Sequence, residues 1–114
     1  MAYGTRVSFD PIRELDFAGI SGTYSPLGTP FGDHVRLLSL NNSTDQELYI
    51  SFDGVREHLR IAANSFKLFD LSANKVRDDG LFIAVGTQIY VREVSTSVTS
   101  GSIWAEAMAA VGGK

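Results

Sequence analysis

Leu48, Ile50 and Phe52 alternate with Tyr49 and Ser51 along Glu47–Asp53, and no other feature constrains the chain as tightly. A strand sends successive side chains to opposite faces, so this run needs a core on one side and water on the other. Strand-length apolar runs recur at His34–Asn41, Glu57–Ile61, Ser65–Leu71, Leu81–Val85, Thr87–Val94 and Ser102–Met108, and Ser65–Leu71 is apolar on both faces. Turn signals separate them: Asn41–Asp45, Asp53-Gly54, Asn64, Asp78-Asp79-Gly80, Gly86 and Ser95–Gly101. Asp-Gly tolerates the positive φ of a tight hairpin. Between Leu71 and Asp78, Ser72–Arg77 reads as a loop or one helical turn.

About seven short strands at regular spacing predict an all-β fold, a single antiparallel β-sandwich, jelly-roll-like, of seven or eight strands. Residues 103–111 are also rich in helix formers. The Ser/Thr/Gly turn before them favours a closing strand.

Residues 1–33 break the pattern. They hold all three prolines (Pro11, Pro26, Pro30) and five of the glycines, which spoil a long helix or a central strand. They also hold Phe9, Ile12, Leu15, Phe17, Ile20, Tyr24, Leu27 and Phe31. The predicted organisation is an extended N-terminal arm over 1–33, a sandwich over 34–110 and a flexible tail over 111–114. The arm either packs on its own domain with one short edge strand or lies partly on a neighbouring subunit. If it serves assembly, deleting Ala2 to Gly32 leaves a folded core that no longer assembles.

The 114 residues suffice for one domain with a real core. The absence of cysteine removes disulfides, thiolate metal sites and thiol nucleophiles. A net charge of −3 argues against a generic nucleic-acid partner, whose footprint is basic. No apolar run approaches the roughly 20 residues of a membrane helix, and Met1–Phe9 lacks a signal-peptide core. The expectation is a soluble protein that folds where it is made.

Chemistry is sparse. His34 and His58 have no partner histidine at metal-ligand spacing. Asp78-Asp79-Gly80 is followed at once by Leu81, Phe82 and Ile83, unlike a calcium loop. The carboxylate pairs Glu14/Asp16 and Asp45/Glu47 sit two apart, each on one wet face, whereas acid–base catalysis needs them across a cleft. Nucleophile elbow, phosphate loop and dinucleotide fingerprint are all missing. No catalytic, cofactor-binding or metal-binding residue is assigned, and no enzyme activity is expected. Phe52, Phe66, Phe69 and Phe82 read as core. Tyr49, Tyr90 and Trp104 could face outward, as a sugar platform or a protein interface. Arginine outnumbers lysine seven to three, a bias seen at protein interfaces.

Leu40–Gly54, Ile61–Val76, Gly86–Val91 and Ser100–Trp104 together form a wider pattern. A polar turn leads to a strand ending in Phe-Asp-Gly, a second strand follows an Ala/Asn/Ser turn, and a late Gly-Thr strand precedes a Ser-Gly-Ser strand. Across about residues 37–105 this resembles small β-rich virion proteins of tailed bacteriophages, from the head and head–tail junction. The resemblance implies a non-enzymatic structural subunit, made in the host cytoplasm and present in many copies in the virion. Its partners would be copies of itself and the portal, connector or major capsid protein, with no specific nucleic acid and no membrane. A neck, collar or head–tail connector place is the first reading, and capsid decoration the second. Outside this class stands a carbohydrate- or ligand-binding β-sandwich module. The residues expected to meet another chain are Phe9, Leu15, Phe17 and Phe31, with Arg13, Arg36, Arg56 and Arg92 for ion pairs.

Overall fold

The computed structural model describes residues 6–70, 75–76, 79–80 and 83–111. In chain order the strands are β1 (Arg6–Phe9), β2 (Arg13–Asp16), β3 (Ser25–Pro26), β4 (Val35–Asn42), β5 (Leu48–Ser51), β6 (Leu59–Ile61), β7 (Ser65–Asp70), β8 (Lys75–Val76), β9 (Asp79–Gly80), β10 (Tyr90–Glu93) and β11 (Ser102–Val111). A 3-10 turn, Phe17–Gly19, follows β2. The protein is an all-β sandwich of two antiparallel sheets.

The first sheet runs β1-β11-β4-β7, with β2 also paired to β11. β1 and β2 lie end to end along one side of β11, Phe9 opposite Met108 and Glu14 opposite Trp104. The second sheet runs β3-β10-β5-β6. β8 and β9 form a small separate hairpin. β11 is therefore a strand throughout, as the preceding turn suggested. Alanine and isoleucine at 103, 105, 107 and 109 point inward along it, and the flat pleat suits their alternation.

The core lies between the sheets. Leu38 and Leu40 of β4, Leu48 and Ile50 of β5, Ile61 of β6, Val91 of β10 and Ile103 of β11 are fully buried. Each contributes about 1.5–3 kcal/mol of hydrophobic stabilisation. Phe52 and Phe69 pack against this cluster from its margin. Phe66 does not belong to it and faces solvent. Phe82 lies outside the described residues.

The stretch read as an arm is built into the sandwich. It supplies β1, β2 and β3, and it buries Ile20, Leu27 and Phe31 in the common core. Its backbone then ladders onto residues 86–90: Leu27 N donates to Ile89 O at 2.7 Å, and Phe31 N to Thr87 O at 3.0 Å. Pro26 and Pro30 have no N–H to give, so this pairing stays irregular. Deleting Ala2 to Gly32 would remove three strands and three core residues, so the truncation cannot leave the folded core foreseen for it.

The same irregularity shortens the strand expected over 87–94 to β10, and of the strand expected over 81–85 residues 81–82 lie outside the described residues. Gly86 turns the chain at φ 89°, Ile83 makes an isolated bridge to Val35, and regular pairing resumes only at β10. The expected loop or turn at Ser72–Arg77 is occupied in part by β8, and the Asp78-Asp79-Gly80 signal by β9. Of the tail expected over 111–114, Val111 instead ends β11 opposite Arg6, and 112–114 lie outside the described residues.

Candidate functional site

Arg13 has its guanidinium folded inward beneath the β1–β2 edge, and it is almost wholly buried. Nε donates to Thr29 O at 2.6 Å, Nη1 to Pro11 O at 3.0 Å, and Nη2 to Pro30 O at 3.0 Å and Asp10 Oδ2 at 3.2 Å. Its guanidinium carbon stands 4.8 Å from the Phe31 ring centroid. Asp10 also accepts from Gly32 N at 3.2 Å. Arg13 and Phe31 thus stitch residues 10–32 to one another, and neither is presented to a partner. Their sequence signals, an arginine and an aromatic in a proline-rich stretch, suit an internal clasp equally well.

The outer side of that edge is different. Phe9 is 76% exposed, Ile12 58% and Phe17 36%, all along the β1–β2 strip, which no described strand covers. Leu15 is half-buried against the core. Natural sheets usually guard an open edge with charge, proline or a bulge. Here Pro11 and the interruption between β1 and β2 limit further strand pairing, and the apolar side chains remain outward.

The remaining expected cations do not share a face. Arg36 is half-buried on β4, Arg56 is exposed in the loop after β5, and Arg92 lies on the outer face of the second sheet. Arg92 belongs to a cross-strand row, Tyr24–Arg92–Tyr49–Arg60, set by the register of β10, β5 and β6. Its guanidinium carbon lies 5.4 Å from the Tyr24 ring centroid and 4.7 Å from that of Tyr49, while Arg60 stands 5.9 Å from Tyr49. Glu57 accepts from Tyr24 Oη at 3.0 Å and Arg92 Nη2 at 3.2 Å. Glu47 accepts from Arg60 Nε at 2.8 Å. These donors hold both glutamates below the usual carboxylate range, the Tyr24 hydroxyl first for Glu57 and the Arg60 side chain first for Glu47.

This row is charge-balanced and closed. Tyr49 has guanidinium groups on two sides. Tyr90 is covered by the turn at Gly54, where an added Cβ would meet its ring at 3.3–3.4 Å. Neither tyrosine offers a bare ring to a sugar.

The histidines hold turns. His34 Nδ1 accepts from Val85 N at 3.0 Å, and His58 Nδ1 accepts from Phe52 N at 3.0 Å. Asp53 caps the loop after β5 by accepting from Val55 N at 2.8 Å and Arg56 N at 2.9 Å. Among the described residues, no three His, Cys, Asp or Glu side chains gather as metal ligands, and no helix is long and apolar enough to cross a membrane.

The described residues also form recesses. One, of about 320 Å³, opens between the sheets and is lined by Leu38, Phe52, Leu59, Phe69, Ile83 and Thr87. Another, of about 240 Å³, lies where β4 ends and β7 begins, among Asn41, Asn42, Ser43, Asn64, Ser65 and Phe66. Beside it on the outer face of the first sheet runs the row Glu14–Trp104–Asn41–Phe66. Phe66 is 66% exposed and Leu68 55%. The sequence signal was present, since β7 is apolar on both faces, but a two-sided apolar strand reads as buried until its position at a sheet edge is known. Comparison of the chain with protein-family models, with curated proteins and with solved structures finds no match.

Proposed function

We propose that this chain is a non-enzymatic structural subunit of a tailed-phage virion, assembling in several copies as a neck, collar or head–tail connector component. The observation that carries the reading is the exposure of Phe9, Ile12 and Phe17 along one sheet edge. Scattered surface apolar residues are ordinary, but three large ones along one edge suit burial against another chain. The rigid sandwich behind them suits a repeated building block, and the resemblance over residues 37–105 supplies the virion context. Copies of the chain, the portal, a connector or the major capsid protein are the proposed partners.

Counting copies of the chain against the major capsid protein, by quantitative mass spectrometry of purified particles, tests this. A ring-sized count, on the order of a dozen or fewer as closed cyclic symmetry gives, supports the neck reading. A count in the hundreds replaces it with capsid decoration. Absence from particles overturns the virion reading altogether.

A further inference from the structure

The geometry points to a saccharide-binding groove on the outer face of the first sheet, built by Trp104, Asn41 and Phe66 and extended by Asn64 and Ser43. This site uses none of Phe9, Ile12 and Phe17, and it does not depend on the assembly reading.

Four observations converge. Trp104, Asn41 and Phe66 lie directly across from one another on β11, β4 and β7, so they form one row perpendicular to the strands. Alternation places all three on the outer face, because Ile103, Ala105, Leu40 and Leu38 fill the core. One strand separates the two aromatics. Two strand spacings put them roughly 9.5 Å apart, about the length of two pyranose rings in an extended chain.

Phe66 also forms one wall of the 240 Å³ groove, whose other walls are amides and hydroxyls. The side chains of Asn64 and Ser43 make no hydrogen bond to another described residue, and Asn64 is held at φ 52° at the groove's lip. Asn41 Nδ2 donates to Ser39 Oγ at 3.1 Å, which fixes the amide within the row. Next to Trp104, Glu14 accepts from Ser102 Oγ at 3.0 Å and adds carboxylate oxygen at the far end.

This chemistry selects its ligand. An aromatic face carries negative charge density and attracts the C–H-rich face of a sugar ring. Amides and hydroxyls both donate and accept, as sugar hydroxyls require. Among the described residues, no arginine or lysine lines the groove, and Glu14 stands in the row, so an anionic ligand is disfavoured. Equatorially linked hexopyranoses form straight, flat ribbons that reach both aromatics, whereas axially linked chains curve away. Tyr49 is flanked by arginines and Tyr90 by the Gly54 turn, whereas Trp104 and Phe66 share the outer face of the first sheet with amides between them and beside them.

The chain has one tryptophan, so intrinsic fluorescence reports this row alone. The full-length protein is titrated to about 10 mM with the β-1,4-linked hexamers of glucose and of N-acetylglucosamine, and with the α-1,4-linked glucose hexamer, by fluorescence and calorimetry. At least one β-linked hexamer is expected to shift the emission and release heat, and the α-linked one to bind on the order of tenfold more weakly. Phe66→Ala and Asn64→Gly, both at exposed positions whose backbone tolerates the change, should each weaken binding about tenfold. Phe9→Ser should leave it unchanged. Absence of heat and of any emission change with both β-linked hexamers overturns the site, as does binding that survives both variants. Neither result touches the copy count in particles.

Discussion

A Cβ placed on Gly101 would stand 2.1 Å from the carbonyl oxygen of Ser43. The two turns at that end of the sandwich are in backbone contact, and Ser43 N donates to Ser102 O at 2.9 Å beside it. Gly101 also sits at φ 89°, which disfavours any side chain. Gly86 shares that φ, but an added Cβ there meets nothing within 4 Å. Gly101→Ala should therefore lose about 3 kcal/mol or more, and Gly86→Ala only about 1 kcal/mol. Urea midpoints of the two variants check this, and equal losses would contradict the close approach.

Asn42 is the polar centre of the same region. Fully buried, it donates from Nδ2 to Gln46 O at 3.0 Å, Ile61 O at 3.3 Å and Ala62 O at 3.0 Å. Its Oδ1 accepts from Thr44 N at 3.0 Å and Thr44 Oγ1 at 2.6 Å. Asn42→Leu keeps the volume but strands these backbone groups away from water. The expected cost is about 3 kcal/mol, read as a lower urea midpoint at unchanged slope.

Arg13 offers a sharper test of the integrated N-terminal stretch. Arg13→Met preserves the stem over Phe31 but removes every donor to Thr29, Pro30, Pro11 and Asp10. A loss of about 3–5 kcal/mol is expected, since Asp10 is left buried without its cation. Adding Asp10→Asn should restore part of that loss, because the neutral amide needs no counter-charge. If residues 6–33 were a detachable arm, none of these changes would move the global unfolding midpoint.

The acid limb of stability follows from the caps. The backbone N–H groups of Arg56 and Val55 pull Asp53 down to about 2, from an ordinary value near 3.8. Thr99, through its hydroxyl and its N–H, lowers Asp45 in the same direction. A depressed folded-state pKa stabilises the fold above the unfolded value and loses that contribution as pH falls through the folded value. Urea midpoints should hold from about pH 7 to pH 5 and fall steadily toward pH 2. Asp53→Asn should lower the neutral midpoint slightly and flatten the fall.

The fold class was legible because β5 alternates cleanly and β4, β7 and β11 are strand-length apolar runs, each bounded by turn residues. Asp53-Gly54 marked a turn correctly, though it closes a longer loop in which Gly54 alone takes positive φ. The N-terminal third was harder. Ile20, Leu27 and Phe31 have no period, because they reach the core from irregular backbone, Ile20 closing the 3-10 turn by donating to Phe17 O and Leu27 and Phe31 pinned by hydrogen bonds to residues 86–89. An aperiodic apolar residue looks the same whether it meets its own core or a neighbour's. Phe66 failed the opposite way, since its strand is periodic but its outer face has no cover. Register across β11, β4 and β7 arises from pairing between distant segments, and for that reason the Trp104–Asn41–Phe66 row is invisible in one dimension.

The most direct test of the assembly claim compares particle occupancy of the wild-type chain with that of the Phe9→Ser/Ile12→Ser/Phe17→Ser variant. All three side chains are exposed, so the urea midpoint of the isolated variant should stay within about 1 kcal/mol of wild type. Occupancy in purified particles should nevertheless fall at least tenfold. A variant that folds normally and still fills particles to the wild-type level would contradict the account.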